Sequence, residues 1–446
     1  MNGRALFSNG RIALIAVTIA VLLCCKTASG RQADNAMGLR AGVARVDITP
    51  QEPVTMAGYA GRKGLSKGVH DPLSARVVFF ENGERRLVVV STDLIGFYGG
   101  TAEYLRKAIL EEVKLDPSEL LLTAIHTHSG PSLTVDKQKG HKSNLEYTRT
   151  LKDKLIGAIR SASDATAPVS IGAGTGHCPI GANRRELRFD RSQNGSIVLG
   201  RNPYGPTDKQ VQVIKLAKRD GTTLAAMFDY ATHGTCLGGG NLTISGDVIG
   251  LAEQFVEKII GGNSIAPAFA GASGNIDPWF RVLPGFNEEP GWIPEPVLLG
   301  TVLGEEVVHV FRGIKAVSTS GRIRSVFEML NLPGKPADQE AAAKAPQSVS
   351  LALTVARVGD IAFVGIGAEV LTEIGMAIKS ASPYRHTLVI THCNGAAGYL
   401  APKHLYVEEG YEIRSSPFGP TVADMVVKRA VEMLHELKGE ERPATP

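Results

Sequence analysis

Two histidines lie one residue apart where an apolar run ends. His126 and His128 follow the stretch ELLLT (119–123), which is typical of a buried strand. Side chains two positions apart on a strand point to the same face, roughly 6–7 Å apart. Two such imidazoles can bind one metal ion together, or one can bind it while the other contacts the substrate. The pair is equally compatible with two ordinary histidines near a loop.

Other polar residues follow apolar runs elsewhere in the chain, at the kind of position where the strands of α/β proteins end and their sites form. His233 follows TLAAMFDYAT, Asp277 follows AFAGASGNI and Glu369 follows IAFVGIGA, while Tyr399 lies in the turn-rich stretch CNGAAGYLAP. Histidines and a carboxylate from separate strands are the ligand types of a zinc site. Zinc polarises a carbonyl and lowers the pKa of bound water to about 7. The pattern therefore predicts a metal-dependent hydrolase.

Each of these positions also has a purely structural interpretation. Glu369 can cap the helix that is predicted to begin next to it, and Asp277 can form an ordinary turn with the proline that follows. Asp247, in SGDVIG, can orient a ligand histidine or cap the following helix. His392, in THCNG, is predicted to be structural, with contact to the metal ligands left open.

The composition is that of a globular protein with a large core. The 446 residues are 43% hydrophobic and 21% charged. Strand-like and amphipathic helical runs alternate over residues 41–437, which predicts a single large α/β domain with a mixed β-sheet core flanked by helices and a metal site at strand ends. Residues 31–40 are predicted to be a linker, 337–346 a polar surface helix or insertion, and 438–446 a disordered tail.

Residues 1–30 predict an export signal, and hence a periplasmic, secreted or lipid-anchored protein. Arg4 and Arg11 precede an apolar run from Ile12 to Cys25, and small residues follow it. The run is short for a membrane span. A lipid anchor at one of its two cysteines and an uncleaved anchor are the alternatives.

The charge balance gives no reason to expect a nucleic-acid partner. Without residues 1–30, which hold three of the 48 basic residues, 45 basic and 44 acidic residues remain, a net charge of about +1. Cys178, Cys236 and Cys393 are then the remaining cysteines, so at most one internal disulfide can form and the chain is not a disulfide scaffold.

Several further stretches lie in a recognisable order along the chain. They are AGVARVDITP (41–50), TMAGYAGR with GVHDPLSAR (55–76), IHTHSGPS (125–132), ATHGT (231–235), ISGDVIG (244–250), GAEVLTEIG (367–375) and NGAAGYLAP with GYE (394–412). Together they resemble the catalytic domain of the neutral/alkaline ceramidase family, and HTHSGP is the most specific of them. The resemblance implies an α/β fold with a mixed sheet, a zinc ion at its centre, and hydrolysis of the amide bond of an N-acyl sphingolipid.

The resemblance also implies roles for the residues that match the family's motifs. In the family, zinc is held by two histidines, a glutamate and a tyrosine, and the matching positions are His126, His233, Glu369 and Tyr399. The family's contacts on the substrate carbonyl side match His128, Arg184 and Tyr411, with Arg185 as the alternative to Arg184.

The chain departs from the family at Asp277, which stands before Pro278 where ceramidases carry a serine. The predicted mechanism therefore runs without serine. Asp277 helps to deprotonate the zinc-held water that attacks the amide carbonyl. The oxyanion is stabilised by His128, Arg184 and Tyr411. Asp277 or His128 then protonates the leaving amine.

Three functional hypotheses remain open at this point. Full ceramidases also carry a C-terminal β-rich domain, whereas this chain stops soon after its last predicted helix. The first hypothesis is an amidohydrolase of N-acyl lipids, and the second is a zinc hydrolase of the same architecture that acts on another amide or an ester. The third, a binding protein with a degenerate site, is disfavoured by the complete set of zinc-type residues. No run outside residues 12–25 could span a bilayer, so a lipid substrate would be met at the membrane surface.

Overall fold

The computed structural model describes residues 38–282, 294–335 and 348–439. The predicted export signal, the predicted insertion at 337–346 and most of the predicted tail lie outside these residues. The predicted linker overlaps the first strand, which begins at Arg40. None of the described helices is long and apolar enough to cross a membrane.

The described residues contain seven α-helices. They are α1 (Thr101–Val113), α2 (Lys142–Asp164), α3 (Asp247–Ile260), α4 (Pro294–Gly313), α5 (Thr372–Ala381), the single turn α6 (Tyr411–Arg414) and α7 (Val422–Lys438). The sequence predicted all of them except α6. Helix α2 begins before the predicted start at Asn144, because His141 caps it by accepting a hydrogen bond from the Ser143 amide at 3.3 Å.

Nineteen β-strands lie in the same described residues. They are β1 (Arg40–Asp47), β2 (Gly68–Val69), β3 (Ser74–Asn82), β4 (Arg85–Thr92), β5 (Leu120–Ala124), β6 (Ala167–His177), β7 (Gly181–Phe189), β8 (Gly195–Asn202), β9 (Gln210–Lys218), β10 (Thr223–Tyr230), β11 (Thr243–Ile244), β12 (Ala268–Ala270), β13 (Ile276–Pro278), β14 (Ile323–Pro333), β15 (Ser348–Val358), β16 (Ile361–Ile366), β17 (Glu369–Val370), β18 (His386–Ile390) and β19 (Tyr399–Leu400). The hairpin β7–β8 and strand β14 are absent from the sequence prediction.

Two sheets pack face to face between two layers of helices. The larger sheet has the order β12-β10-β9-β6-β1-β3-β4-β5, and the smaller has the order β14-β15-β16-β18. Strands β4–β5, β10–β12 and β16–β18 are parallel, and the other pairs in these sheets are antiparallel. Helices α1–α4 cover the outer face of the larger sheet, and α5 and α7 cover that of the smaller one. The predicted α/β class with a mixed sheet is therefore confirmed.

The alternation of side chains along the strands creates this layering. On β3, Val77 and Phe79 pack against helices α1 and α2, whereas Val78 and Phe80 enter the core between the sheets. Because successive residues of a strand point to opposite faces, a strand buried on both sides reads as a continuous apolar run.

Candidate metal centre and active site

The sequence predicted that the histidine pair lies at the end of the strand itself. In the structure the pair lies in the loop that follows β5. Strand β5 ends at Ala124, and His126 adopts a left-handed backbone conformation with φ 65°. This conformation is uncommon for a residue other than glycine, and such strain concentrates at functional sites. The turn brings the Nε2 atoms of His126 and His128 to 3.3 Å from each other.

A backbone bridge joins this loop to the loop that carries His233 after β10. The His128 amide donates to the Gly234 carbonyl at 2.8 Å, and the Gly234 amide donates to the His126 carbonyl at 3.2 Å. A Cβ on Gly234 would lie 2.8 Å from the Cα of Thr127, so this approach requires glycine. The bridge brings the ring centroids of His126 and His233 to 4.5 Å.

Backbone carbonyls orient both of these imidazoles. His126 Nδ1 lies 2.6 Å from the Ile95 carbonyl oxygen, and His233 Nδ1 lies 2.9 Å from that of Ser273 and 3.0 Å from that of Ile276. A carbonyl only accepts hydrogen bonds, so Nδ1 of each ring carries the proton and Nε2 presents a lone pair. Metal-binding histidines are oriented in this way.

Glu369 brings a carboxylate to the same point. Its strand β17 pairs in parallel with β19, which sets Glu369 beside Tyr399. Helix α5 begins only at Thr372, so the helix-capping interpretation of Glu369 is wrong. The Glu369 Oε2 atom lies 3.5 Å from His126 Nε2 and 3.6 Å from His233 Nε2. This oxygen is buried, and none of the described residues forms a hydrogen bond to it.

The three converging side chains fit a metal ion. Two Nε2 lone pairs face a buried carboxylate oxygen, and none of these atoms has a proton to share. A buried polar atom without a partner is costly, and a cation placed between the three removes that cost. Imidazole nitrogen and carboxylate oxygen are ligands that zinc prefers. Two overlapping groups of side chains bring potential ligand atoms within 4.8 Å of one another: His126 with His128 and His233, and His126 with Glu369 and His392.

Arg184, on β7, reaches this cluster, whereas Arg185 turns away from it. The Arg184 guanidinium donates to the Tyr399 hydroxyl oxygen at 3.1 Å and lies 3.2 Å from His233 Nε2. The Glu412 carboxylate accepts from Arg184 Nε at 2.8 Å and from Arg185 Nη1 at 2.9 Å. Of the two arginines that the sequence left as alternatives, the structure places Arg184 beside the histidines.

Burial favours the neutral form of His128 and His233. It lowers the pKa of His128 well below the ordinary value, and the neighbouring His126 and His233 lower it further. Burial and then the charge of Arg184 lower the pKa of His233. Neutral imidazoles keep the Nε2 lone pairs available.

Asp277 is fully buried on β13, which pairs with β7 beside Arg184. Its carboxylate accepts hydrogen bonds from Arg184 at 3.2 Å, from Arg201 at 3.3 Å and from Arg281. Burial alone would raise the pKa of Asp277, but the charges of Arg184, Arg281 and Arg201 outweigh it and hold this pKa below its ordinary value. Because three arginines occupy its two oxygens, this carboxylate has little room to accept a proton from water. The arrangement favours a role in anchoring Arg184 over the predicted role in proton transfer.

His128 and Tyr411 line a cavity of about 380 Å³, together with His126, Glu369 and Tyr399. Tyr411 is the first residue of α6 and is 41% exposed, and its ring centroid lies 5.6 Å from that of Tyr399. Five of the eight predicted site residues thus line one cavity. His233 and Arg184 contact its lining residues Glu369 and Tyr399, and Asp277 lies behind Arg184.

Two further residues contact the cluster: Tyr98, which the sequence prediction did not single out, and His392, for which it left contact with the metal ligands open. The Tyr98 hydroxyl donates to Glu369 Oε1 at 2.9 Å. His392 stacks on His126, with ring centroids 3.9 Å apart and planes 13° apart. An imidazole lone pair lies in the ring plane, so two stacked rings cannot bind one ion together. His392 follows the apolar run of β18, a signal shared with the other site histidines, whereas nothing in the sequence distinguished Tyr98.

Asp247 contacts backbone and no ligand histidine. It lies at the start of α3, and its carboxylate accepts from the amides of Cys236, Leu237 and Val248 at 2.8–3.1 Å. It therefore ties the loop after His233 to α3.

An α/β sandwich with a histidine–carboxylate cluster at its strand ends defines a protein with a candidate metal-dependent active site. The sequence model of the neutral/alkaline non-lysosomal ceramidase N-terminal domain matches residues 39–276, more than half of the chain. The chain therefore belongs to the neutral/alkaline non-lysosomal ceramidase family. His126, His128, Arg184 and His233 lie inside the matched region.

Individual relatives are similar at low identity. The neutral ceramidase of Pseudomonas aeruginosa is 27% identical over 290 residues, which cover 62% of this chain and 42% of that protein. Neutral ceramidase 1 of Arabidopsis thaliana is 27% identical over 229 residues, which cover 48% of this chain and 28% of that protein. The chain thus matches less than half the length of these relatives.

Solved structures share the fold. The crystal structure of neutral ceramidase from Pseudomonas aeruginosa superposes with a TM-score of 0.73 at 19% identity, covering 92% of this chain and 76% of that one. A structure described as ceramidase complexed with C2 superposes with a TM-score of 0.74 at 19% identity, covering 92% and 77%.

Proposed function

We propose that the chain is a zinc-dependent amidohydrolase that cleaves the amide bond of an N-acyl lipid, ceramide or a relative of it, to a fatty acid and an amine. The Glu369 Oε2 atom carries this proposal, because it lies 3.5 Å from His126 Nε2 and 3.6 Å from His233 Nε2 and has no hydrogen-bond partner among the described residues. Membership of the neutral/alkaline ceramidase family supports the choice of an N-acyl lipid.

The zinc ligands in this proposal are His126, His233, Glu369 and Tyr399. Zinc held there would lower the pKa of water and polarise the amide carbonyl. The Tyr399 hydroxyl oxygen accepts a hydrogen bond from Arg184 Nη2 at 3.1 Å, which fixes its position. Burial and then the charge of Glu369 raise the pKa of Tyr399 well above its ordinary value, so Tyr399 would offer the zinc ion the oxygen of a neutral hydroxyl group.

Arg184 is the main candidate for stabilising the oxyanion. Two carboxylates, Glu412 and Asp277, fix its guanidinium in place before any substrate arrives. Donors that are already oriented need no rearrangement when charge develops on the carbonyl oxygen. Tyr411 and His128, on the cavity wall, complete the polar groups that face the reacting carbonyl.

His128 is the group we assign to proton transfer. Its Nδ1 faces the Gly58 carbonyl at 3.1 Å, so Nδ1 carries the proton and Nε2 is free toward the cluster. Nε2 can take a proton from the attacking water and give it to the amide nitrogen. The carbon–oxygen bond forms and the carbon–nitrogen bond breaks, and the products are a carboxylic acid and an amine.

A lipid substrate would meet the site at a membrane surface. A cavity of about 380 Å³ is near the lower end of ligand-site volumes, so it accommodates the amide while most of a long acyl chain stays outside. The predicted export signal would place this encounter outside the cytoplasm.

A second candidate is hydrolysis of another amide or of an ester by the same groups. Asp277 favours it, because Asp277 replaces the serine expected from the family resemblance and is engaged by three arginines. The substrate contacts of this chain therefore differ from the family pattern beside Arg184.

The test is the release of fatty acid from a short-chain fluorescent ceramide by zinc-loaded protein, with and without a chelator. We expect turnover that the chelator abolishes and that added Zn²⁺ restores. Turnover that resists removal of the metal would contradict the zinc mechanism. Folded, zinc-containing protein that leaves ceramide intact would shift the proposal to the second candidate, which a library of N-acyl compounds and esters tests.

A further inference from the structure

The loop between β4 and α1 frames two of the proposed ligands. The Leu94 carbonyl accepts from the amides of His126 and Thr127 at 2.9 and 3.2 Å, and the Ile95 carbonyl accepts from His126 Nδ1 at 2.6 Å. Three residues further on, the Tyr98 hydroxyl reaches Glu369. One short segment thus contacts a histidine and a carboxylate that come from different sheets.

Gly96 lets this segment lie close to the cluster. Its φ is 147°, a conformation that other residues rarely adopt. A Cβ at this position would lie 3.0 Å from Tyr98 Cε2 and 3.2 Å from His392 Nδ1. Glycine therefore lets this segment pass close to both rings, and a larger residue here would displace the Tyr98 ring.

The two oxygens of Glu369 have different surroundings. Oε1 accepts from the Tyr98 hydroxyl at 2.9 Å, and Oε2 faces His126 and His233 without a hydrogen-bond partner among the described residues. A carboxylate can bind a metal through one or both oxygens. The hydrogen bond at Oε1 leaves Oε2 as the oxygen directed at the ion.

We infer that Tyr98 is a positioning residue that holds Glu369 as a single-oxygen ligand of the zinc ion. This inference rests on the proposed function. Groups of this kind orient metal ligands, and their loss typically lowers metal affinity by about 10–100-fold. With Oε1 held by Tyr98, Glu369 would offer a bound ion one oxygen, which would leave room at the ion for water or substrate.

The test compares Tyr98→Phe with Tyr147→Phe. Tyr147 is the matched control, because its hydroxyl also makes one hydrogen bond, to the Ile48 carbonyl at 2.7 Å, and lies away from the cavity. Zn²⁺ affinity is measured by competition with a chromogenic chelator, and the ligand geometry is followed by the visible spectrum of the Co²⁺-loaded protein. We expect Tyr98→Phe to raise the Zn²⁺ dissociation constant about 10–100-fold and to change the Co²⁺ spectrum, while Tyr147→Phe changes neither.

A folded Tyr98→Phe protein with wild-type Zn²⁺ affinity and an unchanged Co²⁺ spectrum would overturn the inference. If that variant does not fold, Gly96→Ala keeps the hydroxyl but displaces the ring, and a loss of Zn²⁺ affinity is again expected. Wild-type protein that binds no Zn²⁺ sinks the proposed function itself. If wild-type protein binds zinc and cleaves ceramide but Tyr98→Phe has no effect, only the role of Tyr98 is contradicted.

Discussion

Two clusters of buried charge among the described residues, the Arg76 cluster and the proposed zinc ligands, differ in how completely their atoms are paired. The Arg76 cluster consists of Arg76, Asp93, Glu253 and Glu257, under the larger sheet. Arg76 donates to all three carboxylates, at 2.7 Å to Glu253 and Glu257 and at 3.1 Å to Asp93. Backbone amides and Arg45 occupy further carboxylate oxygens. Burial raises the pKa of Asp93 and of Glu253. The charge of Arg76 lowers both pKa values but does not cancel the effect of burial.

The proposed ligand cluster is as deeply buried but incomplete. Its Glu369 Oε2 atom has no hydrogen-bond partner among the described residues, whereas no buried side-chain atom of the Arg76 cluster lacks one. Completed networks of buried charge stabilise or specify a fold, and incomplete ones mark positions where a ligand supplies the missing partner. Perturbed pKa values occur in both clusters, so they do not separate the functional one from the structural one.

The largest expected effect comes from removing a ligand. We expect His126→Ala to lose bound zinc and to lower amide hydrolysis by about a thousandfold or more, because a metal supplies several kcal/mol of transition-state stabilisation. Zinc content by atomic emission and turnover of the fluorescent ceramide are the measurements. His386→Ala serves as the control, since His386 is half-buried at the start of β18 and bonds to Gln212. An active, zinc-free His126→Ala protein would contradict the ligand assignment.

Substitution in the Arg76 cluster should lower stability and leave zinc binding unchanged. We expect Arg76→Met to lower the free energy of unfolding by about 3–5 kcal/mol, because three carboxylates lose their common partner in the core. The folded fraction should keep its full zinc content. Urea unfolding measures the first and metal analysis the second. If this variant does not fold, Glu257→Gln should show a smaller loss of the same sign. Wild-type stability of Arg76→Met would remove the contrast between the two clusters.

Asp277 is fully paired, like the Arg76 cluster, but lies beside the proposed zinc ligands. Its substitution tests whether it anchors Arg184 or transfers a proton. We expect Asp277→Asn to retain zinc and to lower kcat/KM by about 10–100-fold, because Arg184 keeps Glu412 but loses its second anchor. If Asp277 were the general base, the acid limb of the pH–rate profile would disappear in this variant. If it only anchors Arg184, the profile should keep its shape.

The pH dependence of stability tests independently whether Asp277 is ionised and paired with the three arginines. Its folded-state pKa lies below that of an unfolded aspartate, about 3.9. Its stabilisation is therefore present above that pH and is lost as the pH falls. The difference in unfolding free energy between wild type and Asp277→Asn should stay constant from about pH 8 to 5 and shrink below about pH 4. A difference that grows on acidification would contradict the ion pairs with the three arginines.

The sequence predicted the position of the site better than its local geometry. Polar residues after apolar runs, such as His126, His233 and Glu369, were located because buried strands are continuous in sequence and their ends are readable. The left-handed turn at His126 and the distinction between Arg184 and Arg185 depend on tertiary bridges, such as the one at Gly234, that leave no local pattern. Tyr98 was missed for the same reason, since its partner is 271 residues away along the chain.

The smallest expected effect lies at the exposed edge of the arginine network. Arg185 donates to the buried Glu412 at 2.9 Å and to Glu408 at 3.3 Å, and the Glu408 side chain is 46% exposed. Water screens such a pair, so we expect Glu408→Gln to change the free energy of unfolding by less than about 1 kcal/mol. Activity should stay within twofold of wild type, because Arg184 keeps both of its carboxylates. A loss of activity comparable to that of Asp277→Asn would mean that Arg185 and Glu408 also position the site. Depth of burial would then not distinguish the charges that anchor the site from those at the surface.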